Sequence, residues 1–172
     1  MRGKMLAVVV ALGFAAPPTR LALARSAFEH FDITLTVTSP EGSGTANWDT
    51  SPPEMGLNPR PVVEAKAGQE IKVEWSMRSA YPHGVMRGVN VHFYVVPAQA
   101  VGQKTLPPKS AEHVVDTAFR MDYLPDYSAK GSLHFRVAKP GVYLVRLTSE
   151  DTEKAHGHEH FYAVDLKVAA NG

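Results

Sequence analysis

Alternation of apolar and polar residues in short runs is the feature that most constrains the fold of this chain. Ile33, Leu35 and Val37 fall on one side of an extended backbone, and threonines dominate the other side. The same period of two recurs over residues 71–75, and the run 89–96 is the most β-prone of the chain. No segment has a convincing helical period, so the sequence predicts an all-β protein.

The expected strands, about seven or eight in number, are bounded by Pro- and Gly-containing turns. Short strands with turns at each end predict a two-sheet antiparallel β-sandwich. Residues 39–60 are expected to be a long loop, and residues 97–103 a short helical turn. The predicted strands cover residues 31–38, 61–65, 69–77, 88–97, 113–121, 132–138, 141–149 and 160–168.

The first 24 residues have the layout of a secretory signal. Arg2 and Lys4 precede an apolar run over residues 5–16, and residues 22–24 form a small-x-small cleavage site. Cleavage there would leave one domain over residues 25–172 in the periplasm, the cell envelope or the extracellular space. No later segment approaches the roughly 20 apolar residues of a spanning helix, so we expect no membrane span in the mature chain. An uncleaved N-terminal anchor is the alternative.

The chain contains no cysteine, and this restricts both its stabilisation and its metal chemistry. An exported fold must then be stable without disulfides, and any metal must be bound by His, Met or carboxylate groups. Blue-copper, iron–sulfur and Cys-zinc sites are excluded. The formal charge of +1 falls to about −2 when the three basic residues of the signal are removed, so we expect no nucleic-acid partner.

The segment 156–160 concentrates potential metal ligands, because three imidazoles occur at alternate positions. In an extended backbone, His156, His158 and His160 can face the same side, and Gly157 lets the chain bend. Neutral imidazole suits copper, zinc and nickel. The sequence therefore predicts a copper or zinc site in a histidine-rich loop before the last strand.

A second segment, between the two strands of residues 69–77 and 88–97, offers His83 and Met86. A thioether favours copper, especially Cu(I). In an immunoglobulin-like strand order, the loops 78–87 and 150–159 share one end of the sandwich, and His83 and Met86 then approach the histidine cluster. This step requires that residues 113–121 form a strand.

Residues 139–147, Lys-Pro-Gly-Val-Tyr-Leu-Val-Arg-Leu, resemble a late strand of immunoglobulin-like and cupredoxin-like domains. Residues 157–161, Gly-His-Glu-His-Phe, are similar to a stretch before the final strand of uncharacterised exported sandwich proteins. The resemblance implies a fold that collects ligands on loops at one end. The chain departs from the cupredoxin pattern because the Cys ligand is missing.

Several simpler interpretations remain open. The histidine cluster can be a solvated turn. His92 can be a cross-strand neighbour on a sheet face, and His113 and His134 surface residues. A polysaccharide-binding surface is a further alternative, since aromatic rings can stack on sugars; the candidates are Trp48, Trp75, Tyr81, Tyr123 and Tyr127.

The sequence contains no recognisable nucleophile, zinc-protease or phosphate-loop motif, so a binding protein is favoured over an enzyme. We expect an exported protein that sequesters or delivers copper or zinc, with no other cofactor. Its partner is then a metal ion or an envelope protein. A non-catalytic structural or interaction module of the envelope is the alternative, and the oligomeric state is left open.

Overall fold

The computed structural model describes residues 8–11, 31–47, 60–79, 86–103, 112–123, 128–149 and 161–171. These ranges contain ten β-strands, and no helix within them is long and apolar enough to cross a membrane. The strands in chain order are β1 (Val8–Ala11), β2 (Phe31–Ser39), β3 (Gly42–Ala46), β4 (Val62–Lys66), β5 (Glu70–Ser79), β6 (Met86–Ala98), β7 (Val115–Tyr123), β8 (Ser128–Arg136), β9 (Gly141–Ser149) and β10 (Phe161–Ala169).

The strands form two five-stranded sheets, which we call sheet A and sheet B. Sheet A has the order β1-β8-β5-β2-β3, and sheet B has the order β4-β10-β9-β6-β7. All pairings are antiparallel except the parallel pairing of β4 with β10. The predicted all-β, two-sheet sandwich is confirmed.

The main core lies between the two sheets and is built from the alternating side chains that the sequence predicts. Trp75 of sheet A stacks on Phe119 of sheet B, with ring centroids 4.9 Å apart and an interplanar angle of 14°. Its indole lies against Gly131, its partner on β8, where an added Cβ would come within 2.5 Å of the Trp75 ring. Gly131 is therefore required for this close approach of ring and backbone.

Part of the outer face of sheet B is also buried. Tyr94, Val96, Leu144 and Ala163 form a second apolar cluster there, separate from the core between the sheets. Strands buried on both faces lose the polar alternation and become continuous apolar runs. This explains the uninterrupted apolar sequence over 142–145 in β9.

Three expectations from the sequence are corrected. Residues 42–46, expected in a long loop, form β3, which pairs with β2; Gly44 packs so close to Pro61 and Val63 that a Cβ would meet both at 3.0 Å. Residues 97–103 contain no helical turn, because β6 continues through Pro97 before a bend and a turn. Finally, β7 joins β6 in sheet B, although the predicted order implies the sheet of β5 and β8.

Strand β1 lies inside the predicted signal segment. It pairs with β8 at the edge of sheet A, with Val8 opposite Leu133 and Ala11 opposite Lys130. Cleavage after residue 24 would remove this strand and leave β8 as the edge of a four-stranded sheet. The cleavage and the domain boundary at residue 25 stay predictions.

A buried ion pair connects β10 to the segments that precede β4 and follow β6. The Nε of Arg60 donates to the Asp165 carboxylate at 3.2 and 3.3 Å, and the backbone N–H of Gly102 donates to the same carboxylate at 2.8 Å. The side chains of Arg60 and Asp165 are 1% and 0% exposed. Arg60 Nη2 also donates to the backbone carbonyl of Gln103 at 2.7 Å.

Replacing Asp165 with Asn should therefore destabilise the protein strongly, because it leaves the Arg60 guanidinium buried without its counter-charge. We expect the free energy of unfolding in urea to fall by about 3–5 kcal/mol. The matched control is Glu64→Gln, which breaks the exposed ion pair between Glu64 of β4 and Lys167 of β10, the strand that also carries Asp165. That change should cost less than about 1 kcal/mol. Equal effects of the two substitutions would contradict this account.

Tyr143 closes the turn between β8 and β9. Its hydroxyl donates to the backbone carbonyl of Lys139 at 2.8 Å, four residues upstream. A tyrosine near the start of a late strand that bonds back to the chain before it is characteristic of immunoglobulin-like sandwiches. Burial raises the pKa of the Tyr143 hydroxyl above its usual value.

The raised pKa of Tyr143 gives stability a defined dependence on alkaline pH. Below the unfolded-state pKa the neutral hydroxyl contributes fully, and its contribution is lost as the pH rises through the higher folded-state pKa. Tyr143→Phe should lower the free energy of unfolding by about 1 kcal/mol at neutral pH. The difference in the free energy of unfolding between the wild type and this variant should then shrink above about pH 10. A difference in the free energy of unfolding that grows with pH would contradict this assignment.

Candidate metal-binding end of the sandwich

The strand ends of sheet A define one end of the molecule. Phe31, the first residue of β2, pairs with Ser79, the last residue of β5. Arg78 pairs with Ser128, the first residue of β8. The connection that leaves β5 and the connection that enters β8 therefore meet sheet A at the same end.

The strand ends of sheet B lie at this same end. Met86, the first residue of β6, pairs with Tyr123, the last residue of β7. Ser149 ends β9 and pairs with Val91, and Phe161 begins β10 opposite the residue before Ser149. We call this end of the sandwich the loop end; it is bounded by Ser79, Met86, Tyr123, Ser128, Ser149 and Phe161. The connections 80–85, 124–127 and 150–160 all begin and finish here.

The predicted metal ligands belong to these connections. His83, His156, His158 and His160 lie outside the described residues. Met86 begins β6, where its backbone is described and its side chain is not. The structure therefore shows where the strands that flank the predicted ligands begin and end. The ligand set itself stays a prediction.

Strands β6 and β7 extend beyond the rest of sheet B at the loop end. Met86 lies five residues before Val91, the position at which β9 ends. At about 3.3 Å per residue this corresponds to an extension of about 16 Å. The register of β6 against β7 shifts between Met86 and Val89, and such irregularities bend a strand. The connection 150–160 thus starts beside a two-stranded arm formed by residues 86–90 and 120–123.

The described residues contain a histidine cluster that no sequence pattern indicates. His92 of β6 reaches diagonally across the strand pair, and its Nε2 hydrogen-bonds to Oδ1 of Asp116 on β7. His113, two residues before β7, has its Nδ1 3.9 Å from Oδ2 of the same carboxylate. The prediction that His92 is a cross-strand neighbour is confirmed. His113 is less exposed than predicted, with 18% of its side chain accessible.

The strand register is the signal that could have revealed this cluster. His92 and Tyr94 share the outer face of β6, and Asp116 pairs with Tyr94. Sequence separation hides the relation, because the register of two strands is set by packing and not by spacing. Within the described ranges, no group of three or more His, Asp or Glu side chains could hold a metal ion.

The aromatic alternative loses one of its main candidates. Trp75 is 6% exposed and packs in the core, so it offers no flat face to a sugar. An open groove of about 380 Å³ crosses the outer face of sheet A near this residue. Trp75 and Gly131 line the floor of this groove, and the polar residues around them are Thr34, Thr36, Glu74, Ser76, Lys130 and Ser132.

Comparisons with known proteins assign no family. No protein-family model and no curated protein matches the chain. The PmoD soluble domain from Methylocystis sp. ATCC 49242 (Rockwell) is 12% identical, with 80% of this chain and 90% of that chain covered and a TM-score of 0.42. A family 123 glycoside hydrolase from Clostridium perfringens is 10% identical, with 81% of this chain but only 27% of the hydrolase covered, also at 0.42. At these values neither similarity carries an argument about function, and the assignment as a β-sandwich rests on the strand pairing.

Proposed function

We propose that the protein is an exported metal-binding protein of the periplasm or cell envelope that sequesters or delivers copper or zinc. The ligands are His156, His158 and His160, together with His83 and Met86. The observation that carries this proposal is the common position of the flanking strand ends. Both ligand-bearing connections begin and finish at the loop end.

Chain length supports contact between the two ligand segments. His156 follows Ser149 by seven residues, which can span up to about 23 Å when extended. This exceeds the extension of about 16 Å that separates Met86 from the end of β9. His160 directly precedes Phe161, which pairs with Thr148 near the end of β9. His156 and His158 are therefore the imidazoles best able to reach His83 and Met86.

The donor set favours copper or zinc over harder cations. Imidazole nitrogen binds both metals, and the thioether of Met86 favours copper in its reduced state. A chain without cysteine cannot provide the thiolate of a blue-copper centre, so storage or transfer of the ion fits these ligands better than electron transfer. The ion is then cargo, and the sandwich is the rigid support for its binding loops.

Thermal melts of the purified, metal-stripped protein test this function. Cu(II), Cu(I) under reducing conditions, or Zn(II) should stabilise the folded state by about 2.7 kcal/mol at one hundred times the dissociation constant. For a domain of this size the melting temperature should rise by about 5–10 °C. Lowering the pH to about 5 should remove the gain, because the imidazoles become protonated.

The decisive variant replaces His156, His158 and His160 with Ala and should lose the metal-dependent rise. The matched control is His134→Ala, because His134 is exposed on the outer face of sheet A. This control should keep the full rise. A chain that no metal stabilises, or a triple variant that responds like the wild type, would contradict the proposal and favour a recognition surface for an envelope partner.

A further inference from the structure

The edges of the two sheets are protected in different ways. Strands β3 and β4 have only five residues each, and they pack together where Gly44 approaches Pro61 and Val63. The pairing of β7, at the edge of sheet B, contains the register shift between Met86 and Val89. Short or irregular edges resist the addition of a further strand. The remaining side of sheet A ends at β8, and β1 covers it.

Strand β8 has the regular geometry that accepts another strand. All nine of its residues pair with β5 without a register shift. Such a strand presents a row of N–H and C=O groups on the side away from its neighbour. Strand β1 pairs with only four of the nine positions, from Lys130 to Leu133. Removal of β1 with the signal would therefore expose a long, regular edge.

We propose that the exported protein uses the β8 edge to bind an extended segment of an envelope partner, in which apolar residues alternate with acidic ones. Main-chain hydrogen bonds to β8 supply the affinity in this mode of binding, and side chains at alternate positions supply the selectivity. The inference rests on the proposed export and on the predicted cleavage after residue 24. It does not depend on metal binding.

The core face of β8 sets the apolar positions of the partner strand. Leu133 and Phe135 are buried in the core between the sheets. Gly131 lies on the same face, where the Trp75 ring fills the space beside it. Residues directly opposite each other in an antiparallel pair project to the same face. Apolar partner residues opposite these three positions therefore extend the core, and the strand that pairs here, β1, has the apolar sequence Val-Val-Val-Ala.

The outer face of β8 sets the acidic positions. Lys130, His134 and Arg136 alternate along this face and are exposed. Oε1 of Glu70 lies 3.4 Å from Nδ1 of His134, and Oε2 lies 3.3 Å from Nη2 of Arg136. Lys130 stands opposite Ser76 of β5, which carries no charge. A carboxylate opposite Lys130 on the added strand therefore forms a favourable cross-strand pair.

Charge disfavours a second copy of this chain as the occupant. Two β8 strands related by a twofold axis run antiparallel. Lys130 then faces His134 when the axis passes through Ser132, and it faces Arg136 when the axis passes through Leu133. Basic residues directly opposite each other destabilise a strand pair. A partner strand with carboxylates at these positions avoids this repulsion.

Titration of the protein purified after export tests this surface. Mass spectrometry first establishes that residues 1–24 are absent. The probe is a fluorescent peptide of alternating glutamate and valine that matches the nine residues of β8, and its control carries lysine in place of glutamate. Fluorescence anisotropy should show saturable binding of the glutamate peptide. Binding of the lysine peptide should be weaker by at least about fivefold.

Charge reversal at the edge should exchange this preference. Lys130→Glu should weaken binding of the glutamate peptide by about two- to fivefold and strengthen binding of the lysine peptide. The matched control is Lys139→Glu, which makes the same change in the turn before β9 and should leave both affinities unchanged. In the wild type, the glutamate peptide should shift the backbone amide NMR signals of Gly131 and Leu133, but not that of Gly141.

Competition by β1 provides a second test of the same edge. The full chain made without export retains β1 and should bind the glutamate peptide at least about tenfold more weakly, because an attached strand competes at a high effective concentration. Replacing both Val9 and Val10 with Pro should restore the affinity. Successive N–H groups point to opposite sides of a strand, so one of the two replacements removes a donor that faces β8.

The proposal is overturned if the exported protein retains residues 1–24, if it binds both peptides equally or neither, or if Lys130→Glu leaves the affinities unchanged. A stable dimer that protects the β8 amides from hydrogen exchange would also overturn it, because the occupant is then a second copy. Far-UV circular dichroism verifies that each variant is folded. The titrations use metal-stripped protein, so peptide binding and metal binding are measured separately.

Discussion

The register between neighbouring strands is the constraint on which the rest of this structure depends. Successive side chains of a strand point to opposite faces, so a slip of one residue would exchange every inward and outward position. Ile33, Leu35 and Val37 are buried between the sheets, and their burial fixes the alignment of β2 with β5. The same kind of alignment sets which strand ends meet at the loop end and which side chains share the outer face of sheet B.

Sheet B is the more constrained of the two sheets because part of its outer face is buried in addition to its core face. The core side chains of β9 alternate with Leu144 and Arg146, which are buried on the outer face. The ion pair of Arg60 with Asp165 lies on this face and links two separate segments of the chain to β10. A buried pair of this kind is a poor source of net stability, but removal of one partner is costly. Its main effect is to specify where the segments before β4 and after β6 are held.

The sequence predicted the sandwich because its best strands carry a strict apolar alternation. It failed for β3, whose Gly-Ser-Gly-Thr-Ala sequence has no such period and whose position depends on tertiary packing against Pro61 and Val63. The burial of Arg146 was also missed, since a single basic residue in an apolar run gives no local sign of its partner. Turn chemistry was more informative, and the turn over residues 139–141 was predicted correctly.

The clustered polar residues also differ in how far the sequence reveals them. The clustered imidazoles of residues 156–160 are visible in sequence because they are adjacent, and the positions of their flanking strands required only the correct strand order. His92, His113 and Asp116 come together through the pairing of β6 with β7, and their spacing in the sequence does not indicate this. The sequence therefore reveals residues that are close together in the chain, and strand pairing is needed to find residues that only the fold brings together.

Paramagnetic broadening by Cu(II) is the most direct test of metal binding at the loop end. In the metal-stripped protein, stoichiometric Cu(II) should broaden the backbone amide signals of Ser79, Ser149 and Phe161. The amides of Gly68 and Gly141, in turns at the opposite end of the sandwich, should remain sharp. Broadening centred on Gly68 and Gly141, or no localised broadening at all, would contradict it.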